Sequence, residues 1–447
     1  MADVQPFAGI RYQDSAALAD LVTPPYDVIS PEAQTRYYDR HAANIIRLEL
    51  GRESPGDNAL DDRYTRAAVT FAEWRLRGVL RQDAPTLYVY EQRFAALGAM
   101  HTRVSLLGRV RLEPWEAGVV LPHERTLSKP KDDRLKLLRA AAANLSPILS
   151  LYDDPKGQLA KRLAKVRRGQ PALTFSDEAG EEHRLWPVAD AAFAAQVAAF
   201  FAPAKLYIAD GHHRYETALT YRDELRTMRR GLEAGDSANF VMMALAAVED
   251  PGLVVLPTHR LLHAVAGDRL AALDTTLAQW FEREALASAD PAEWVARLGQ
   301  QRAGDAGTAL VTVRPEGAAL WRLTAAGRRA MQAPAMAELA SSDSDAAAGP
   351  SDAWRALDVV VAHALVLGQA LGIDAAAVTA GGRVTYTRDA AAAASAVRGG
   401  QASLALLLNP TPPAAIRDVA LAGDRMPQKS TYFYPKLITG LTINPLW

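Results

Sequence analysis

Residues 206–225 read LYIADGHHRYETALTYRDEL: an apolar run ends in Asp210 and Gly211, and His212, His213 and Arg214 then open a helical pattern. The first turn of a helix exposes unpaired backbone N–H groups at the positive end of the helix dipole, where acids are ordinarily favoured over cations. Three potential cations at that point make sense if an anion docks on the turn. In that reading Gly211 permits the tight turn and Arg214 offers a bidentate contact to phosphate or carboxylate. His212 or His213 hydrogen-bonds the anion, binds a metal or moves a proton near neutral pH. Asp210, the one acid beside them, suits a metal ion, a hydroxyl proton or charge compensation. The structural alternative has Asp210 capping the helix and the histidines as polar surface.

Two other stretches carry the same kind of chemistry. In PHERTLSKPKDDR (122–134), His123 and Glu124 lie beside Arg125, Lys129, Lys131 and Arg134, ahead of a helix. Such a loop can clamp a polyphosphate, with Glu124 as general base or metal ligand, or it can be a solvated charged loop. In MPQKSTYFYPK (426–436), prolines bracket Gln428, Lys429, Ser430 and Thr431, all able to contact phosphate oxygens, while Tyr432, Phe433 and Tyr434 offer stacking or core area. If Arg214, His123 and Lys429 fold within reach of one ligand, the three blocks form one phosphate site. PPYDVIS (24–30), with Asp27, reads first as a rigid turn, and LPTHRLLH (256–263) places His259 and Arg260 after a strand as a further anion contact. His41, His101, His183 and His363 stand without companions of this kind and read as structural or surface residues.

Several chemistries are excluded. No G-x-x-x-x-G-K-[ST] run, no G-x-G-x-x-G after a strand and no H-E-x-x-H occurs. With no cysteine, thiolate catalysis, disulfides and zinc–cysteine sites are ruled out. Fifty basic residues balance fifty-one acidic ones, a net charge of −1, so no global field recruits nucleic acid or anionic membrane. The N-terminus has no basic head followed by a long apolar core, and the apolar stretch from 356 is broken by Asp358, His363 and Gln369. A cytoplasmic protein is expected, with neither nucleic acid nor membrane as a partner.

The elements that must hold these residues alternate in type. Ser30 caps a helix that Pro31 begins. NIIRLEL (44–50) alternates like a half-buried strand, and a helix follows within 54–80. TLYVYEQRF and HTRVSLLGRVRLEPW read as a hairpin, a helix runs from about Lys131 to Ala143, and KLYIAD is a short strand before the glycine turn. RVTYTR and LALLLNP read as later strands. The fold class expected is α+β, with mixed sheets flanked by helices. The chain divides into an N-terminal α+β region with the glycine turn (1–268), a helix and strand module (269–335), a small acidic flexible loop (336–352) and a C-terminal α/β region with the MPQKS loop (353–447).

YIADGHHRYETAL resembles the most distinctive block of a bacterial and archaeal family catalogued as a domain of unknown function, and PPYDVIS, NIIRLEL, HERTLSKPKDDRLKLL, NLSPILSLY, DPGLVVLPTHRLL and MPQKSTYFYPKLITGL resemble its other blocks, in this order. More distantly, strand-D-G-H-H-R-helix is similar to the phosphate-binding turn of the ParB/sulfiredoxin superfamily, which holds nucleotide phosphates. That resemblance implies a ParB/sulfiredoxin-like core with additional α/β regions, with Gly211, His212, His213 and Arg214 as the phosphate turn. The sulfiredoxin cysteine and a DNA-reading helix-turn-helix are missing. The superfamily's free-serine kinases therefore imply a nucleotide-dependent kinase of a hydroxy or amino acid, using a nucleoside di- or triphosphate and Mg²⁺. Lys429 or Lys129 would balance the charge developing in transfer, and Glu124 or Asp210 would take the hydroxyl proton or hold the metal. A phosphohydrolase on a phosphorylated metabolite and a ParB-like nucleotide-gated regulator are the alternatives.

Overall fold

The computed structural model describes the backbone of residues 1–124, 128–303, 307–340 and 349–447, and their side chains except at 128–130 and 302–303. Two compact units divide the chain. The first comprises Met1–Pro122, Thr126–Val254 and Phe433–Trp447, and the second His123–Arg125 and Val255–Tyr432.

The first unit is built on a nine-stranded mixed sheet. Its centre is the hairpin Leu87–Ala96 and Ala99–Arg111, paired from Tyr88↔Leu107 to Ala96↔Ala99. The two-residue tip, Leu97 and Gly98, has φ values of 50° and 77°, the left-handed pair that matches the twist of the flanking strands. Phe240–Ala247 joins Ala99–Arg111 antiparallel, Ile148–Tyr152 joins Phe240–Ala247 parallel, and Leu206–Asp210 follows antiparallel, with Val120–Leu121 parallel beyond it. Glu182–Val188 and Leu173–Ser176 extend the opposite side. Phe240–Ala247 is buried along its whole length, as expected for a continuous apolar run at the middle of a sheet. Val89, Leu106, Ile148, Ile208, Met243 and Phe201 are among the side chains of its core.

NIIRLEL does not form the expected strand. Ile46–Glu49 is one short helical turn, opened by Asn44, whose side chain accepts from the Ile46 amide. With only four residues in the turn, the segment is too short for a 3.6-residue period to show against an alternating one. The helix expected from about Lys131 to Ala143 runs from Ser128 to Ala141 and packs against His212–Met228. Ser30 caps Pro31–Arg40 as expected, accepting from the Ala33 amide.

The second unit carries a six-stranded antiparallel sheet in the order Phe281–Leu286, Gly317–Leu323, Ala309–Arg314, Leu404–Leu408, His259–Leu262, Val384–Thr387. Trp294, Val311, Leu320, Val397 and Leu407 form part of its core. The apolar stretch from 356 is a buried helix, Asp358–Val361 continuing with π-type pairing through Ala362–Ala370. No helix among the described residues is long and apolar enough to cross a membrane. The architecture is mixed α/β in both units.

Candidate functional site

The strand Leu206–Asp210 runs straight into the helix His212–Met228 through Gly211, at φ 98°. A side chain at Gly211 would be strained by that φ, and its Cβ would lie 2.9 Å from an Arg214 guanidinium nitrogen. Between Ile208↔Ser150 and Asp210↔Leu149 the register slips by one residue, so Ala209 is an extra residue that re-aims Asp210 at the strand end. Gly211 brings no side-chain cap, and no acid lies in the first turn.

The Asp210 side chain carries two cations. Its Oδ2 accepts from Arg214 Nη2 at 2.8 Å, and its Oδ1 accepts from Lys436 Nζ. Burial opposes its charge, but Lys436 and Arg214 outweigh burial and hold the carboxyl well below the usual range. Arg214 is equally committed: its Nη1 donates to Pro147 O at 2.6 Å and to Ser146 Oγ at 3.1 Å. The guanidinium expected to clamp a ligand thus anchors the helix start to its own sheet. Lys436, not singled out in the sequence, completes this anchor. Its signal was the basic end of the MPQKSTYFYPK block.

Ser146 links that anchor to a second group the sequence reading missed. Its hydroxyl donates toward Glu49 Oε1 at 3.5 Å while accepting from Arg214. Glu49, 3% exposed, lies 3.4 Å from Arg134, and burial pushes its carboxyl up against the pull of Arg134 and Arg214. Arg134 also donates to the Glu49 carbonyl at 3.0 Å, pairs with Asp133 at 2.5 Å and lies 4.0 Å above the Tyr26 ring. A cavity of about 50 Å³, room for a water or two, is lined by Glu49, Arg134, Ser146, Arg214 and Thr217 with apolar neighbours. Burial lowers the pKa of the half-buried His213, on which Glu216, Lys131 and Asp27 also act, so its ring is neutral near pH 7. Lys131 pairs with Glu216 at 3.0 Å. The first unit therefore gathers parts of four sequence blocks: Tyr26 and Asp27, Glu49, Lys131 to Arg134, and Asp210 to Arg214. His212 is buried at the same helix start.

The remaining candidates belong to the second unit, where the HE and QKST blocks meet. Glu124 bridges to Met426 in parallel, and the Met426 amide donates to His123 O at 2.7 Å. His123, 0% exposed, contacts Thr431 Oγ1 through Nε2 at 3.1 Å. The Lys429 amide donates to Glu124 Oε1 at 3.3 Å, and its carbonyl accepts from Arg260 Nη2 at 3.2 Å, fixing Lys429 at φ 58° with its side chain exposed. Ser430 is buried, its hydroxyl donating to Pro427 O, and Gln428 is half-buried beside it. Arg125 and the side chain of Lys129 lie outside the described residues.

His183, solitary in the sequence, gains companions in the fold. In the hairpin Leu173–Ser176 and Glu182–Val188 it stands with Asp177 and Glu181, their ligand atoms within 4.8 Å of one another. The D-x-x-x-E-x-H spacing across SDEAGEEH was the available signal, and it requires the hairpin register to become visible.

Residues 4–360 match the family described as "Protein of unknown function (DUF1015)". The chain belongs to that family. No curated protein matches the chain. Among solved structures it is similar to a free serine kinase in complex with AMP, at 10% identity and a TM-score of 0.32 over 70% of this chain and 83% of that one. It is likewise similar to SbnI with C-terminal truncation from Staphylococcus aureus, at 10% identity and a TM-score of 0.34 over 76% and 87%. A conserved hypothetical protein from Pyrococcus furiosus gives 11% identity and a TM-score of 0.31 over 71% and 89%. The architecture described above rests on this chain's own strand pairings.

Proposed function

We propose that the first unit is the catalytic body of a phosphotransferase that moves a phosphoryl group from a nucleotide to the hydroxyl of a small metabolite. The observation that carries this reading is Glu49. It is a buried carboxyl with a raised pKa, joined through Ser146 to the arginine that anchors a glycine-opened helix start. A base needs a pKa poised nearer the working pH than an ordinary carboxylate has, and burial supplies that shift. The helix start receives the phosphate on its first-turn amides. His213, kept neutral by burial, can donate to a phosphate oxygen without placing a second full charge there.

In this scheme the acceptor hydroxyl loses its proton to Glu49 and its oxygen forms the new O–P bond, while the bond from the terminal phosphorus to its bridging oxygen breaks and the shortened nucleotide leaves with that oxygen. Arg134 stabilises the ionised form of Glu49 between turnovers, and Lys131 faces the same helix through Glu216. Asp210 is given a positioning role here and not the magnesium role, because each of its oxygens accepts from a cation, Arg214 or Lys436. A divalent cation enters this proposal only as part of the nucleotide substrate. Asp210, Arg214 and Lys436 are positioning residues.

Purified protein incubated with ATP, ADP or CTP and a panel of hydroxy and amino acids should consume nucleotide only when an acceptor is present. Release of inorganic phosphate without an acceptor would select hydrolysis instead. Absence of both nucleotide binding by calorimetry and turnover would sink the proposal.

A further inference from the structure

We propose that Asp177, Glu181 and His183 form a binding site for a divalent transition-metal ion in the first unit. The three side chains come from one hairpin, and one ligand atom of each lies within 4.8 Å of the others. His183 is 0% exposed, and its Nε2 has no hydrogen-bond partner. That nitrogen lies 3.4 Å from Asp177 Oδ2. Ligands about 2.1 Å from a tetrahedral metal sit roughly 3.4 Å apart, so this pair already has the bite of a metal chelate.

The surroundings hold each ligand as a metal site needs. His183 Nδ1 is 2.8 Å from the Tyr90 hydroxyl, an outer contact that fixes the ring and leaves Nε2 for the ion. Phe175 stacks on the ring with centroids 4.8 Å apart. Asp177 Oδ1 accepts from the Ala179 and Glu181 amides at 2.9 and 3.0 Å, leaving Oδ2 as the donor directed at His183. The Tyr434 hydroxyl hydrogen-bonds the Glu181 carboxyl. The adjacent Glu178 is taken by Tyr37 and Arg40 and is not part of the set.

Two carboxylates in one buried space repel each other, and a cation shared with an imidazole relieves that repulsion. One nitrogen and two carboxylate oxygens suit zinc, manganese, iron(II) or cobalt(II) better than magnesium or calcium, which favour all-oxygen shells. Three protein ligands leave a coordination position for water or a ligand. The Asp177 side chain, 17% exposed, gives the ion its way in.

The test is titration of chelator-stripped full-length protein with Co(II), followed by visible absorption, with calorimetry using Zn(II) and Mg(II). The expected result is one equivalent of Co(II) bound with a ligand-field band, and Zn(II) bound far more tightly than Mg(II). His183→Gln and Asp177→Asn should abolish the band, and Tyr90→Phe should weaken binding by about 10–100-fold. Each variant's urea midpoint without metal checks that it is folded; should H183Q fail that check, D177N, at the more exposed of the two positions, carries the test. Millimolar or weaker binding by the wild type, or equal affinity in wild type, D177N and any folded H183Q, overturns the site.

Discussion

Asp210 holds Lys436 on one oxygen and Arg214 on the other, within a largely buried surround. Asp210→Asn would remove the charge and leave two cations facing each other, so a loss on the order of 3 kcal/mol is expected in urea unfolding. Replacing Lys436 by Met in that background should recover part of it; an unchanged midpoint in D210N would contradict the anchor. His259 in the second unit gives a pH signature. Burial and Arg260 lower its pKa to about 4 from 6.5, while its Nδ1 accepts from the Leu408 amide. Between those values the unfolded chain binds the proton and the folded chain does not. Stability from this group is therefore full above about 6.5 and is lost as pH falls toward 4, a difference on the order of 3 kcal/mol. The pH dependence of the melting temperature in His259→Asn, subtracted from that of wild type so that the carboxylates cancel, should leave that component. Superimposable profiles would show that His259 is not held neutral. At this scale the sequence displayed which groups could act but not which were already spent. Arg214 looks like a free clamp in one dimension, and its partners Ser146 and Pro147 lie far away along the chain.

The strand, glycine and helix at 206–228 were legible because each local signal agreed: a short apolar run, a residue that tolerates φ 98°, then a long helical pattern. Gly211→Ala should cost about 1–2 kcal/mol from the left-handed φ alone, and it would displace the Arg214 guanidinium as well. Its expected mark is therefore combined: a lower urea midpoint and weaker nucleotide binding. A variant with wild-type values for both would show that the turn holds neither the fold nor the nucleotide. NIIRLEL was misread as a strand for want of length, and Glu49 went unnoticed with it. A carboxylate in an alternating apolar segment reads as the solvent face of a strand, whereas the short helix turns it inward onto Arg134. Lys429 shows the reverse case: its polar loop was visible, but not the left-handed conformation that Glu124 and Arg260 hold at its amide and carbonyl.

Neither unit is a continuous stretch of sequence, and local patterns carry little information about which distant segments pair. The last fifteen residues, Phe433–Trp447, pack in the first unit. Asn444–Pro445 pairs with Ala143–Asn144, the Ile443 amide donates to Ile10 O at 2.9 Å, and Lys436 reaches Asp210. Truncation after Tyr432 should therefore lower the melting temperature of the chain and abolish nucleotide binding; a truncated chain that binds as the intact one does would contradict this assignment. The mixed α/β class was legible from alternating patterns, but the gathering of Asp27, Glu49, Lys131 and the 210–214 turn was not. The most direct test of that gathering compares wild type with Glu49→Gln in nucleotide binding and acceptor-dependent nucleotide consumption. Nucleotide affinity should stay within a few-fold of wild type and turnover should fall about 10²–10⁴-fold, the usual contribution of a general base. Undiminished turnover in a folded E49Q would remove Glu49 from the site.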